Sequence, residues 1–153
     1  MKKLLFILCV MGLFLSGLSA QTKSDDTEAI LKTVLNYIEG WETGDSSRMA
    51  QSLHRGLTKH GIVPAKSGNG TDILNASYQE MVNWTVYQKG NLKDHRKPES
   101  DIKINELGRN IASVTCISKQ YIDYLHLART ENGWKILNAI WEPNYTGVVG
   151  KKE

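Results

Sequence analysis

Cysteine is nearly missing from this chain, and the shortage settles several questions. The 153 residues hold two, Cys9 and Cys116. Cys9 lies in an apolar N-terminal stretch, too deep in it to serve as a lipid-attachment cysteine at a cleavage site. Cys116 is therefore alone in the rest of the chain, where no intramolecular disulfide can form. Its neighbours Val114 and Ile117 predict a buried, inert thiol inside a strand. The four histidines show no repeated short spacing and have no cysteine cluster nearby, so no metal site is expected. A serine–histidine–acid motif, a Cys-x-x-Cys and a nucleotide-binding glycine loop are also missing. Ser67-Gly68-Asn69-Gly70 is rich in glycine, but it lacks the lysine and the helix start of a phosphate cradle and reads as a hairpin tip. No cofactor is expected.

Charge of one sign and long apolar runs are lacking too. The apolar stretch Leu4 to Leu15 is shorter than the ~20 residues of a membrane span. With Lys2 and Lys3 before it and Ser16-Gly17-Leu18-Ser19-Ala20 after it, it has the layout of a secretory signal peptide cleaved before Gln21. The expected domains are residues 1–20 as leader, 21–145 as a single folded unit and 146–153 as a flexible tail. The destination would be periplasmic or extracellular. Loss of Lys2 and Lys3 lowers the formal charge from +3 to +1. A near-neutral domain carries no electrostatic footprint for nucleic acid or a membrane surface.

What the chain does contain is periodicity. Ile30, Val34, Ile38 and Trp41 recur at helical spacing, with Ser24, Asp25 or Asp26 as N-cap and Gly40 and Gly44 as the stop. Asp45 or Ser46 caps a short second helix, expected to end at Gly56. Between Leu57 and Asn75 the signals are mixed, and only a short strand around Ile62 is expected. A third helix spans roughly Ala76 to Gln88, with Ser77 and Glu80 at capping-box spacing. Asn91 to Asp101 reads as a surface loop. Strands follow at Asp101 to Leu107 and Ile111 to Lys119, with a turn at Gly108-Arg109-Asn110.

The last two strands form the hairpin Tyr121 to Trp141, turning at Glu131-Asn132-Gly133. A three-residue loop sets Thr130 opposite Trp134. It places Asp123, Leu125, Leu127, Leu137, Ala139 and Trp141 on one face, and Tyr124, His126, Ala128, Ile136, Asn138 and Ile140 on the other; a two-residue loop would shift the pairing by one. Both faces are apolar, so one should cover a core or pocket and the other a second layer or a second subunit. Three helices followed by four antiparallel strands make an α+β domain, with helices on one side of a curved sheet.

YIDYLHLARTENGWKILNAIW, together with AILKTVLNYIEGWETGD and SLHRGL, resembles the nuclear transport factor 2-like (SnoaL-like, cystatin-like) superfamily, and within it the small bacterial domains called "putative lumazine-binding". The resemblance covers nearly all of the chain after the leader. It implies a cone-shaped fold in which a strongly curved antiparallel sheet wraps a helix and leaves a pocket. It also implies frequent homodimers through the sheet, which would account for apolar residues on both hairpin faces; Ile136 and Ile140 are then expected at that contact. The superfamily includes isomerases, cyclases, dehydratases and members that only bind or scaffold.

Asp123, a carboxylate within an apolar run, must be paired, solvated in a pocket or protonated. Its structural alternatives are backbone N–H groups, Arg129, Arg109 or a lysine. The favoured function is non-catalytic binding of a small, partly apolar molecule, with Trp41 and Trp141 stacking on it, Tyr87 lining the site, and Asp123 and His54 fixing its polar edge. The enzymatic alternative uses Asp123 as base with His54 or Tyr87 as acid. A dimeric scaffold with a filled cavity is the third. His126 is expected at a sheet–sheet or dimer contact.

Overall fold

A computed structural model describes residues 23–88 and 99–149. The leader, most of the loop before Asp101 and the end of the tail lie outside the described residues. Three helices, α1 (Lys23–Thr43), α2 (Ser46–Ser52) and α3 (Tyr78–Gln88), pack with six strands: β1 (Leu53–Pro64), β2 (Thr71–Ser77), β3 (Ser100–Leu107), β4 (Ile111–Ser118), β5 (Tyr121–Thr130) and β6 (Gly133–Pro143). The sheet order is β2-β1-β6-β5-β4-β3. Every neighbouring pair is antiparallel except β1 and β6, which run parallel. The α+β class stands, but the sheet is mixed and has six strands, where four and a short one around Ile62 are expected.

The helix signals are local and are realised. Gly44, with φ of 69°, ends α1 where a side chain would be strained. Asp45 then accepts hydrogen bonds from Ser47 N–H and Arg48 N–H at 3.0 and 3.1 Å and caps α2. Gly40 lets the two helices touch: a Cβ there would stand 2.9 Å from the backbone nitrogen of Met49. Ser77 and Glu80 close a capping box on α3, Ser77 N–H donating to Glu80 Oε2 at 2.8 Å. Asp25 and Asp26 lie in the first turn of α1 rather than before it. Asp26 turns inward, where it pairs with Arg129 and accepts a bond from Trp134 Nε1–H at 3.1 Å.

The short strand expected around Ile62 is a twelve-residue one, and Leu53 to Gly56 begin it rather than finish a helix. Leu57, Lys59 and Gly61 all face inward, at the period of two that a strand requires. A lysine and a glycine at two of those positions hide the alternation.

The hairpin also differs from expectation near its turn. Thr130 pairs with Gly133 across a two-residue loop, and Arg129, not Thr130, faces Trp134. The register then shifts between His126 and Leu127, so that Leu127 faces Ile136 while His126 faces Asn138. Leu137 is the extra residue of this bulge. Beyond it the expected pairs Asp123–Trp141 and Leu125–Ala139 are restored. Ile136 is consequently fully buried in the core, and Leu137 is turned outward. The inner face of the sheet, from Val114 through Leu125 and Leu127 to Ile136 and Ala139, packs on Ile30 and Val34 of α1.

Candidate functional site

At the end of the sheet where β1, β5 and β6 meet α1 and α3, the core does not close. A cavity of about 310 Å³ remains. Its walls are mostly apolar or aromatic: Ile38 and Trp41 from α1, Leu74 and Ala76 from β2, Met81 and Trp84 from α3, Tyr121 and Trp141 from the hairpin. Tyr121 ties the two tryptophans into one wall, with edge-to-face contacts at 6.4 Å to Trp41 and 4.9 Å to Trp141 between ring centres. Trp141 occupies this place because its strand neighbour on β1 is Gly61, over which the indole lies.

The polar end of the cavity is a buried triad. Lys59 from β1 is 7% exposed and Asp123 from β5 is 2% exposed. Lys59 Nζ donates to Asp123 Oδ1 at 2.9 Å and also to the hydroxyl of Tyr37. That hydroxyl donates to the same Asp123 Oδ1 at 2.7 Å. The ammonium also sits 4.8 Å from the centre of the Tyr37 ring and 5.4 Å from that of Trp141, within cation–π range. A charge pair removed from water is tolerable only when its remaining hydrogen-bonding capacity is also met, and Tyr37 supplies part of that. The lysine offered as one structural partner of Asp123 is thus Lys59; Arg129 is taken by Asp26 instead.

Burial, reinforced by the Asp123 carboxylate, raises the phenol of Tyr37 well above its ordinary value, and the same two causes raise Tyr121. Burial and then Asp123 likewise push up the thiol of Cys116, which is buried and stands opposite Asp123 in the ladder. At the rim, burial and the neighbouring Glu39 raise the carboxyl of Glu42. A phenol held neutral by the fold supports stability fully below its unfolded value of about 10. As pH climbs past that value, the unfolded chain releases a proton the fold retains, and stability falls. A spectrophotometric titration should therefore show late phenolate components, one of which disappears in Tyr37→Phe. An identical curve from that variant would count against it.

Of the five residues expected at a site, Trp41, Asp123 and Trp141 line this cavity, and His54 and Tyr87 do not. His54 follows α2 on an outward position of β1, where its Nδ1 accepts the Gly56 N–H at 3.0 Å. Tyr87 is 77% exposed, because α3 turns Met81 and Thr85 toward the core. Lys59, Tyr121 and Glu42 line the cavity without being expected there, and Tyr37 lines it beside Asp123. A lysine at an inward strand position is the available signal for the first of them. His126 lies on the outer face, with Nδ1 3.2 Å from Asn138 Oδ1. Among the described residues no three His, Cys, Asp or Glu side chains are grouped to hold a metal ion.

Solved structures share this architecture. An NTF-2 like protein of unknown function from Silicibacter pomeroyi superposes with a TM-score of 0.66 at 16% identity, covering 80% of this chain and 99% of its own. A "putative dehydratase from the NTF2-like family" from Streptomyces avermitilis gives 0.57 at 16% identity, covering 81% and 99%. A ketosteroid isomerase-like protein from Erwinia carotovora atroseptica gives 0.53 at 12%, covering 78% and 97%. At such identities the likeness shows the fold alone. No curated protein matches the chain. The sequence profile of the family described as "Putative lumazine-binding" matches residues 25–142, from the first turn of α1 to the end of β6. The chain belongs to that family, on the nuclear transport factor 2-like fold.

Proposed function

We propose that this chain is an exported, non-catalytic domain that takes one small, partly apolar molecule into the cavity between α1, α3 and the hairpin. The observation that carries this reading is the division of the cavity. Aromatic and aliphatic walls surround it, and Tyr37, Lys59 and Asp123 form one buried polar cluster against it. Small-molecule sites have that division: apolar walls bind and a few placed polar groups orient. In this reading Trp41, Tyr121 and Trp141 hold the faces of a flat ligand. The family description and the isomerase- and dehydratase-like neighbours fit a binding or isomerase-type domain.

Proton transfer is the second reading, favoured by the phenol of Tyr37 donating to a carboxylate inside the cavity. Neither His54 nor Tyr87 stands beside Asp123 to act as its acid, and Lys59 neutralises Asp123 at rest. A general base has to be free to take a proton, so binding is preferred.

Mass spectrometry under non-denaturing conditions, on protein recovered from the exported fraction of its host, tests both export and occupancy. The expected result is a chain beginning at Gln21 that carries a small bound molecule. A chain retaining Met1 would argue against export, and a bare protein at every loading would argue against the binding reading.

Homodimerisation through the sheet belongs to the same proposal. Tyr124 and Ile140 stand 51% and 41% exposed on the outer face, an apolar patch that a monomer would leave in water. Ile140→Asp should halve the mass measured by light scattering, and an unchanged mass would refute the dimer. Ile136 cannot serve in this test because it lies inside the core.

A further inference from the structure

We infer that Lys59 is a covalent anchor: its amine captures a small apolar aldehyde in the cavity as a reversible imine, with Asp123 taking and returning the proton that the capture requires. This rests on the binding reading above and names the bond by which a ligand would be held.

The first ground is placement. Among the described residues Lys59 is the one buried lysine, and it lines the cavity. A lysine stem can usually carry its ammonium out to water. Here β1 turns it inward, on the same face as Leu57 and Gly61, toward the rings of Tyr37 and Trp141. Replacing a buried ion pair by apolar groups of similar volume is often neutral or stabilising, so stability does not account for the pair. Lysines desolvated in apolar pockets are the ones that serve as imine-forming nucleophiles toward carbonyl compounds.

The second ground is the path of the proton. An ammonium has no lone pair, so it must lose a proton before it attacks. Lys59 Nζ donates to Asp123 Oδ1 at 2.9 Å, and the Tyr37 hydroxyl, bonded to both groups, offers a second route. Moving one proton from Lys59 to Asp123 leaves an amine and a carboxylic acid. No net charge is created, and the two ions that burial penalises are removed. The amine nitrogen then bonds to the aldehyde carbon, and a proton passes from that nitrogen to the carbonyl oxygen, giving a carbinolamine. Asp123 returns its proton to the new hydroxyl, which leaves as water while the nitrogen lone pair closes the C=N bond. The result is an iminium beside the Asp123 carboxylate, the same pair of charges as at the start.

The walls select the aldehyde. Trp41, Tyr121 and Trp141 suit a flat apolar group. An anionic aldehyde would be buried beside Asp123 with Lys59 already engaged, at a large desolvation cost.

Two probes decide the matter: naphthalene, followed by calorimetry, and 2-naphthaldehyde with sodium cyanoborohydride, which reduces an imine to a stable secondary amine. Intact-mass and peptide mass spectrometry should find one naphthylmethyl group on Lys59, formed about tenfold or more faster than on any exposed lysine. Excess naphthalene should slow that labelling. The double variant Lys59→Met/Asp123→Leu should still bind naphthalene and lose the fast labelling, which separates lost chemistry from lost folding. Labelling of Lys59 no faster than of exposed lysines, or fast labelling that persists in the double variant, would overturn the imine while naphthalene binding left the cavity reading standing. Failure of naphthalene to bind, together with unselective labelling, would overturn the cavity reading and this inference with it.

Discussion

Asp123→Ala is expected to destabilise the protein by about 3–5 kcal/mol, measured as a lower midpoint in urea denaturation. The substitution removes only a carboxylate, and a carboxylate on the surface would be worth little; exposed ion pairs contribute about 0–1 kcal/mol. Here the remaining partner decides the outcome. Lys59 cannot reach bulk water from a position that is 7% exposed, and its ammonium would be left with the Tyr37 hydroxyl and two ring faces. Exchanging both members for apolar groups should behave in the opposite way. Lys59→Met/Asp123→Leu should regain most of the loss, because replacing a buried pair by similar apolar volume is often neutral. The contrast between single and double variant is the diagnostic. A single variant as stable as the parent would show that water reaches Lys59 and that the pair is not sealed.

The second large effect is expected from one methyl group. A Cβ on Gly61 would stand 2.4 Å from Cζ2 and 2.5 Å from Cε2 of Trp141, far inside van der Waals contact. Gly61 and Trp141 are direct partners in the parallel β1–β6 pairing, so the indole has no slack in the strand direction. Gly61 also lacks a positive φ, and alanine could adopt its backbone without strain. Reduced freedom of the unfolded chain would then favour alanine by about 0.4–1 kcal/mol. Overpacking, at about 1–3 kcal/mol, outweighs that gain, so Gly61→Ala should unfold at lower temperature. The route of relief is as informative as its cost. Trp141 lines the cavity, so a ring displaced into it should weaken naphthalene binding as well. Unchanged melting together with unchanged binding would mean that Trp141 does not rest on β1.

How far the sequence alone reaches can be read from individual residues. The stops, caps and stripes of α1, α2 and α3 are short-range features, and Gly44, Asp45, Ser77 and Glu80 do in the structure what their spacing implies. Asp123 stands out in the sequence because a carboxylate is costly inside an apolar strand, and that cost is what the triad offsets. Its partner is out of reach of such reasoning. Lys59 comes from a strand whose alternation is broken by the very residues that build the cavity, the lysine itself and Gly61. Local patterns are expected to fail where a position serves a site rather than the fold. Leu137 is a different case. A bulge is invisible to counting outward from a turn, and here the loop shorter by one and the strand longer by one compensate. The far half of the hairpin register therefore survives while the near half moves Ile136 from the outer face into the core. His54 is near the end of α2 in sequence, which suggests the pocket rim, but the early start of β1 carries it away from the cavity.

The parallel pairing of β1 with β6 has a consequence for how the protein comes into being. Asn138 reaches Thr58 across 80 residues of sequence, and Lys59 reaches Asp123 across 64. In the fold, the carboxylate that pairs with Lys59 is Asp123, which comes from the second half of the chain. Closing loops of this length before the contacts form is what slows folding of such topologies. The helices and the β1–β2 arm can therefore assemble early on the nascent chain, whereas the cavity comes into existence only after the last strand has been delivered.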